Sequence, residues 1–457
     1  WMFGVKEGFD IVIGNPPYIQ LQKAYNSTKK FADLYKDQNY ITFDRMGDIY
    51  CLFYERGLQL LKDYGYLAFI TSNKWMRAGY GEKLRKFFLN YNPKILIDLG
   101  ADVFENATVD TNIFIIEKSS YKKETKGITI YEKSKDSIDF FEKVRDKAVL
   151  LDKLSEDAWF IGNDAQQRLK EKIEKIGKPL KEWDVNIYRG VLTGLNEAFI
   201  IDNDKRKEIL DNCKDEEERK RTEAIIKPIL RGRDIKRYYY EWAGLWVIFI
   251  PWHFPLHEDT SIKGASEIAE KELVRQYSSV YSHLLQYKDA LLRRNKEEIG
   301  IRYEWYALQR CAATYYPEFE KEKVVWTPVN SEYSFTIIAP GFFFLNSIFM
   351  ITGENIKTFC AVFNSTLIRY YLTFLFSSEN NYTYASKETM EKIPLSPITA
   401  SKEPIVRQIE LLVDKILAAK KDNPQANTSD LERDIDKLVY KLYDLTEEEI
   451  KVIEEKG

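Results

Sequence analysis

The pattern of apolar and polar positions from Phe9 to Lys118 alternates short apolar runs with amphipathic stretches, which is typical of an α/β layout. Four runs predict strands and two stretches predict helices. The predicted strands are Phe9–Ile13, Tyr66–Ile70, Ile95–Asp98 and Asn112–Ile116, and the predicted helices are Ile49–Leu61 and Gly81–Tyr91. Because too few residues separate the last two strands for a helix, we expect these strands to be antiparallel neighbours at a sheet edge.

Composition divides the remainder of the chain. A stretch rich in Lys, Glu and Asp predicts a linker, and the long aromatic-rich region after it predicts a second domain of mixed α/β character. Charged amphipathic patterns then predict two helices, Glu403–Ala419 and Ser429–Glu455. The predicted domain boundaries are 1–135, 136–165 for the linker, 166–398, and 399–457 for the helical C-terminal segment.

Overall composition is that of an ordinary globular protein, with 44% hydrophobic and 30% charged residues over 457 positions. The net charge of −3 does not exclude a nucleic-acid partner, because such binding depends on local basic patches. The cysteines are far apart and form no CxxC pair, which predicts a reduced, cytoplasmic protein without a zinc site or other metal site. No long uncharged apolar run predicts a membrane span.

The most informative residues are Asn15, Pro16, Pro17 and Tyr18, which directly follow the first predicted strand. Ligand sites of open parallel sheets lie at the carboxyl ends of strands. The side-chain oxygen of Asn15 and the backbone carbonyl of Pro16 could accept hydrogen bonds from an exocyclic amine and aim its lone pair at an electrophilic methyl group. The prolines stiffen the loop, and Tyr18 could stack on a base.

Several segments carry a family resemblance. Residues 9–19 resemble motif IV of DNA amino-methyltransferases in the form usual for adenine-N6 enzymes, 65–70 resemble the next core strand, and 103–113 resemble motif VIII. Residues 188–200 and 227–235 resemble the TaqI-like target-recognition domain of type IIG restriction-modification enzymes, and 431–443 resemble their C-terminal helix. The resemblance implies the distal half of a Rossmann-like methyltransferase sheet, a mixed α/β recognition domain, and helices.

The resemblance also implies roles for individual residues. Asn15 and Pro16 would hold the target amine, and Tyr18 and Phe104 would sandwich the flipped base. Asn15 and Pro17 would contact the cofactor, S-adenosyl-L-methionine. The partner would be double-stranded DNA.

One departure from the family pattern concerns the cofactor. Such enzymes hold S-adenosyl-L-methionine with a glycine-rich Phe-x-Gly-x-Gly loop, and the sequence contains no such segment. We therefore expect a fragment that is inactive alone and whose partner is the missing N-terminal half of the methyltransferase domain. In the type IIG enzymes that it resembles, a nuclease domain also lies upstream.

Two basic segments of the second domain are interleaved with aromatic residues, a pattern that suits phosphate contacts together with stacking or groove contacts. A solvated face with buried aromatic side chains is the alternative. The residues predicted to bind DNA are Arg189, Lys227, Arg231, Arg233, Lys236, Arg237, Arg293, Arg294, Arg302, Trp305, Tyr306, Gln309 and Arg310.

The sequence therefore predicts a site-specific adenine-N6 DNA methyltransferase of a restriction-modification or phage-defence system. Three alternatives stay open. The chain could be a non-catalytic DNA-binding specificity module, or it could methylate glutamine amides on proteins, where the same tetrapeptide suits a planar amide nitrogen. Methylation of cytosine N4 is the third alternative, although Ser more often replaces the Asn in such enzymes.

Overall fold

A computed structural model of the chain describes residues 7–25, 29–100, 103–104, 109–130, 137–162, 164–312, 314–330, 334–375 and 383–455. The chain forms two compact units. The first unit comprises Trp1–Lys175, Tyr370–Thr383 and Thr446–Gly457, and the second comprises Ile176–Arg369 and Tyr384–Leu445. The domain boundaries suggested by composition, at 135, 165 and 398, stay predictions.

The first unit is built on a six-stranded mixed sheet. Its strands are β1 (Phe9–Gly14), β2 (Leu61–Ser72), β3 (Asn92–Gly100), β4 (Thr111–Glu117), β5 (Lys126–Thr129) and β6 (Val149–Leu150). Their order across the sheet is β1-β2-β4-β3-β5-β6. The β1–β2 and β3–β5 pairs are parallel, and the other pairs are antiparallel. The predicted α/β fold class is confirmed.

The two strands expected at a sheet edge are antiparallel neighbours, but they lie in the middle of the sheet. Strand β3 pairs on its far side with β5, which comes from a stretch with few apolar residues. Strand β6, from within the predicted linker, extends the sheet further, and a helix at Ser137–Lys147 precedes it in that segment. Residues 136–165 are therefore folded where the structure describes them. The charged composition gave no indication of these strands, because a short strand has too few residues to show an alternation of apolar and polar positions.

Helices of the first unit cover the sheet and enclose an aromatic core. They are α1 (Phe31–Tyr35), α2 (Tyr50–Leu60), α3 (Glu82–Phe88), α4 (Ser137–Lys147) and α5 (Asp164–Ile176). Trp75 lies at the centre of this core, with its ring 5.1 Å from Phe88 and 5.3 Å from both Phe114 and Trp159. Such edge-to-face and tilted contacts add to the burial of large rings. The packing holds the ends of β2 and β4 in place beside the candidate site.

The second unit contains two four-stranded sheets, with strand orders β17-β10-β13-β9 and β16-β14-β18-β8. The strands after β6 are β7 (Lys178–Pro179), β8 (Val185–Arg189), β9 (Ile200–Ile201), β10 (Ile226–Leu230), β11 (Ile235–Lys236), β12 (Tyr239–Tyr240), β13 (Trp246–Ile248), β14 (Lys323–Trp326), β15 (Val329–Asn330), β16 (Phe335–Ile338), β17 (Phe343–Phe344), β18 (Phe349–Gly353), β19 (Thr383–Tyr384) and β20 (Pro394–Leu395). Strands β11 and β12 form a small antiparallel hairpin. A large hydrophobic cluster lies between these sheets and the helices of the unit.

The remaining helices are α6 (Asn196–Phe199), α7 (Asn203–Asp211), α8 (Glu216–Ile225), α9 (Glu267–Gln276), α10 (Ser278–Leu285), α11 (Lys288–Arg293), α12 (Ile356–Asn364), α13 (Thr366–Leu375), α14 (Lys387–Met390), α15 (Glu403–Asp422), α16 (Ser429–Leu442) and α17 (Glu447–Glu454). Short 3-10 helices lie at Asn73–Met76, Gly79–Gly81, Leu180–Glu182, Gly232–Asp234 and Tyr316–Glu320. Among the described residues, no helix combines the length and apolar character needed to cross a membrane.

The predicted single helix at Ser429–Glu455 is wrong, because the structure divides it into α16 and α17. Asp444 has a left-handed backbone with φ of 50°, which ends the first helix. Thr446 then starts the second helix with a capping box, in which the Glu449 N–H donates to the Thr446 hydroxyl and the Thr446 N–H donates to the Glu449 carboxylate. The continuous charged pattern hid these two local signals.

Candidate functional site

The tetrapeptide loop lies at the carboxyl end of β1. The parallel register of β1 and β2 pairs Gly14 with Phe69, so the chain leaves the sheet immediately before Asn15. Pro16 is buried, Asn15 and Pro17 are exposed, and the Tyr18 side chain is half-buried. The loop therefore has one member anchored inside the unit and two that face outward.

A hydrogen bond inside the loop orients its amide. The Tyr18 hydroxyl donates to Oδ1 of Asn15 over 3.0 Å. Burial raises the pKa of Tyr18 to about 12, and the negative charge of Asp48 contributes in the same direction. The phenol therefore stays protonated and remains a donor at physiological pH. Because an amide oxygen has two lone pairs, Oδ1 of Asn15 can still accept a second hydrogen bond.

Asp48 fastens the end of the loop to the start of α2. Its carboxylate accepts a hydrogen bond of 2.8 Å from the Ile19 N–H, and the Ile49 N–H donates to the Ile19 carbonyl over 2.9 Å. Asp48 is buried, and this burial raises its pKa, while the Ile19 N–H opposes the shift. Sequence reasoning missed Asp48. An acidic residue at the start of a predicted helix was the available signal.

A cleft of about 440 Å³ opens beside Tyr18. This volume falls within the usual range of small-molecule sites, roughly 300–1,000 Å³. The lining mixes neutral polar, charged and aromatic side chains and comprises Tyr18, Gln20, Lys23, Ala24, Met46, Gly47, Asp48, Ser72, Lys74, Tyr80 and Val109. Apart from Tyr18, none of these residues was predicted, because they come from separate stretches of chain that only the fold brings together.

Tyr18 and Phe104 lie side by side, and their sandwiching of a base, which the resemblance to motif VIII implies, stays a prediction. Their ring centroids are 6.4 Å apart and the rings are tilted by 55°. A base stacked between two rings needs about 7 Å, twice the separation of carbon atoms in contact. Tyr50 meets Tyr18 edge-on at 6.3 Å. The two rings thus pack on each other here, and a base between them would require them to separate and become more parallel.

The first basic segment of the second unit contains both paired and unpaired cations. Lys227 bonds Glu320 at 3.0 Å, Arg231 makes a two-pronged contact with Asp234, and Arg237 bonds Glu432 at 2.6 Å. Arg233 is exposed and Lys236 is half-buried. Neither of these two has an acidic partner among the residues that the structure describes.

The second basic segment runs from Arg293 to Arg310, and several of its residues lie in the interior of the second unit. Arg294 donates to the carbonyls of Thr193, Trp305 and Ala307, and burial lowers its pKa to about 10. Gly194, with φ of 76°, lies against it, and a Cβ there would come within 2.8 Å of the Arg294 side chain. This arginine connects loops of the unit through their carbonyls.

The aromatic members of that segment are also internal. Trp305 is 6% exposed and donates its indole N–H to Glu270 over 2.8 Å, and Tyr306 is fully buried with its hydroxyl on the Phe254 carbonyl. These positions match the alternative of buried aromatics beside a solvated face.

Other predicted DNA contacts lie at the surface. Arg293 and Arg310 are exposed, and Gln309 is half-buried. Arg302 pairs with Glu298 at 3.1 Å. Arg189 is exposed, packs over the Phe349 ring and donates to the Asn346 carbonyl. The role of each in DNA binding stays a prediction.

Among the described residues, no group of three or more His, Cys, Asp or Glu side chains is arranged to hold a metal ion. The cysteines Cys51, Cys311 and Cys360 are buried and Cys213 is partly buried, and all four are free thiols.

Models of two known protein families match parts of the chain. Residues 1–104 match the Eco57I restriction-modification methylase family, and residues 227–395 match the TaqI-like C-terminal specificity domain. The chain thus joins a restriction-modification methylase segment to a specificity domain, and its homologues are type II restriction-modification methyltransferases.

Individual relatives agree with this assignment. The chain is 32% identical to the type II restriction enzyme and methyltransferase RM.Eco57I of Escherichia coli, over 42% of this chain and 19% of that enzyme. It is 23% identical to the type II methyltransferase M.BstVI of Geobacillus stearothermophilus, over 98% of this chain and 75% of that protein. The structure of the type IIL restriction-modification enzyme MmeI, solved in complex with DNA, matches 97% of this chain and 56% of that chain with a TM-score of 0.56 and 11% identity, a likeness of fold alone.

Proposed function

We propose that this chain supplies the base-binding loop and the DNA-reading domain of a site-specific, S-adenosyl-L-methionine-dependent adenine-N6 DNA methyltransferase in a restriction-modification or phage-defence system. The observation that carries the proposal is the Asn15–Tyr18 loop, placed at the carboxyl end of β1 beside a cleft of about 440 Å³. The matched family and the type II relatives support the reaction class. The chain spans 19% of RM.Eco57I, so the activity of the whole protein is part of the proposal.

In the proposed mechanism, Asn15 and Pro16 accept hydrogen bonds from the two N–H groups of the adenine amine. Tyr18 holds the Asn15 amide with its oxygen available, and its raised pKa keeps this donor protonated. The nitrogen lone pair then turns away from the ring and toward the incoming methyl group. The residues act by position and preorganised polarity, which cost little reorganisation during the reaction. Flipping the base costs a few kcal/mol, which contact with Tyr18 and Phe104 partly offsets.

S-adenosyl-L-methionine, when bound, would supply the electrophilic methyl group. The residues present fit part of this cofactor, because the exposed Asn15 and Pro17 offer an amide and a rigid ring surface at the end of β1. The sequence has no Phe-x-Gly-x-Gly loop to hold the remainder. We therefore assign cofactor retention mainly to another part of the protein.

Strand β1 lies at the edge of its sheet, where further strands could pair with it. Among the residues that the structure describes, β1 pairs with β2 alone, and Ile11 and Ile13 are 63% and 80% exposed. An apolar edge strand with unpaired backbone groups is a site for adding strands. We assign that place to strands encoded upstream in the same protein, which would complete the methyltransferase sheet.

A substitution on β1 tests this assignment. Ile13→Asp should abolish association with a separately expressed upstream segment, because a carboxylate would be buried at the joint, while Ile41→Asp, at another isoleucine of the first unit that is 66% exposed, should not. Equal association of both variants, measured by titration, would contradict the assignment.

Methyl transfer tests the function itself. Transfer of labelled methyl groups to DNA of varied sequence should occur with a chain extended upstream and should fall sharply with its Asn15→Ala variant. Nucleoside analysis of the product should show N6-methyladenine. Label on cytosine or on protein, or full activity of Asn15→Ala, would overturn the proposal.

A non-catalytic specificity module is the second candidate, and the lack of a cofactor loop in the sequence favours it. Sequence-specific DNA binding that is independent of cofactor, together with no methyl transfer by the extended chain, would support this candidate over the first.

A further inference from the structure

The basic segment from Lys227 to Arg237 contains five cations that differ in what neutralises them. Glu320, Asp234 and Glu432 each accept a hydrogen bond from one cation, which leaves Arg233 and Lys236 without an acidic partner in the described part of the chain. A carboxylate partner neutralises a cation and so weakens its attraction for another anion. The two unpaired cations are therefore the ones ready for an external anion.

Both unpaired cations line the same cleft, which has a volume of about 390 Å³. Its other walls are Gly232, Ile235, Thr327, Pro328 and Ser347. None of the described residues of this lining is acidic, and Thr327 and Ser347 contribute hydroxyl groups, which donate well to anionic oxygens. The described wall of the cleft thus combines two positive charges and two hydroxyls.

The Arg231–Asp234 pair holds the loop that forms one wall of the cleft. The Asp234 carboxylate accepts from both the backbone N–H and the guanidinium of Arg231, and Asp234 itself is 4% exposed. Arg231 is thereby a support for the backbone of the loop that carries Arg233 and Lys236. Gly232 keeps the loop close to Thr327, because a Cβ there would lie 3.2 Å from its methyl group.

We propose that this cleft, lined by Arg233 and Lys236, grips a phosphate of the DNA backbone and does not read bases. The proposal rests on the proposed DNA-binding function and adds to it a division of labour among the basic residues. Contacts with phosphate position a protein on the duplex and carry no direct sequence information. Arg233 and Lys236 would set affinity and orientation, and sequence selection would come from other residues.

Salt-dependent DNA binding tests this division. Affinity for a fluorescein-labelled duplex of random sequence would be measured by anisotropy at several salt concentrations, using the full chain. Each lost phosphate contact lowers the slope of log K against log salt by about 0.9. We expect that loss for Lys236→Gln and for Arg233→Gln, with a retained slope for Lys236→Arg.

Matched controls remove the same charge at paired positions. Lys357 bonds Asp414 at 2.7 Å and Arg275 bonds Glu272 at 2.7 Å, both in the second unit. Lys357→Gln and Arg275→Gln should leave the slope unchanged. Thermal unfolding of every variant would verify that it is folded.

The possible results distinguish a failure of the proposed phosphate cleft from a failure of the proposed DNA binding. A reduced slope for Arg233→Gln and Lys236→Gln, with the relative affinity for different duplex sequences unchanged, supports the phosphate cleft. If the wild-type protein binds DNA but the two variants keep its slope, the proposed phosphate cleft is wrong. It is also wrong if the variants change the sequence preference. In both cases the proposed DNA binding is retained. Absence of wild-type binding overturns the proposed DNA binding and the cleft together.

Discussion

The loop at Asn15–Tyr18 and the loop at Gly232–Lys236 are both candidate DNA-contact regions, and they are built differently. The first has no charged side chain, contains two prolines and holds its amide through an internal hydrogen bond. The second presents two cations without an acidic partner in the described part of the chain, and a buried carboxylate supports its backbone. One loop offers directed neutral acceptors, and the other offers charge.

This difference corresponds to two kinds of work. Chemistry on one amine needs acceptors fixed in position, since a small displacement lowers the rate. Attachment to a uniformly charged backbone tolerates imprecise geometry and depends on salt. Substitutions in the first loop should therefore change the rate with little change in salt dependence, and substitutions in the second should do the reverse.

The largest expected effect is at Asn15. Removing its acceptor with Asn15→Ala should lower the methyl-transfer rate of the extended chain about 10²- to 10³-fold, by analogy with the loss of one preorganised hydrogen-bonding group. The slope of DNA affinity against salt should not change. Asn90→Ala, at an exposed asparagine of the same unit, serves as control. An equal loss in both variants would point to unfolding.

A second prediction concerns the basic residue that faces the interior. Arg294→Met should reduce the free energy of unfolding by roughly 3 kcal/mol, because carbonyls that now accept from a buried guanidinium would lose their donor. Denaturant unfolding measures this, with the exposed Arg293→Met as its neighbour control. If Arg294→Met is as stable as the wild-type protein but binds DNA more weakly, Arg294 contacts DNA and is not a structural residue.

A pH dependence should follow from another buried cation, Lys323. Its ammonium donates to the carbonyls of Phe319, Lys321 and Ala339, and burial lowers its pKa to about 8. Between pH 8 and the ordinary lysine value the unfolded chain binds more protons than the folded chain, so this residue makes stability rise with pH.

We expect a contribution of about 2 kcal/mol between pH 7.5 and 9.5, visible as the difference between the wild-type protein and Lys323→Met in denaturant unfolding. Identical pH profiles for the two proteins would contradict the lowered pKa. The salt slope for DNA should be the same in both, which distinguishes Lys323 from Lys236.

The smallest effect is expected at Asp48. Asp48→Ala removes the acceptor of the Ile19 N–H and should lower methyl transfer about tenfold, equivalent to about 1.4 kcal/mol. Asp48→Asn retains an acceptor oxygen and should recover most of the rate. Faster amide exchange at Ile19 in Asp48→Ala alone would verify the positioning role, and equal rates for all three proteins would exclude it.

The sequence predicted those parts of the molecule that depend on local pattern. The strand before Asn15 and the α/β fold class follow from apolar periodicity, and the sandwiching of a base by Tyr18 and Phe104 stays a prediction from the motif resemblance. The place of β3 and β4 inside the sheet could not be predicted, because it depends on β5 and β6, which are short strands with few apolar residues. The ion pairs also depend on residues that are far apart in the sequence, since Arg237 and Glu432 are separated by 195 positions.

The basic segments show the same limit for function. Composition cannot distinguish Arg233, which has no acidic partner in the described structure, from Arg294, which is enclosed by carbonyls. Both are arginines beside aromatic residues, and only tertiary packing separates them. Asp48 was missed for the same reason, since its partner Ile19 lies 29 positions earlier.

The open edge of β1 has a consequence for the order of synthesis. If the strands that cover it are encoded upstream, as proposed, the ribosome makes them first, and β1 finds its neighbours as it emerges. A chain made without those strands presents exposed Ile11 and Ile13 along an unpaired edge, which is a template for aggregation. Its recovery on refolding should therefore decrease as concentration rises, and co-expression with the upstream segment should restore it.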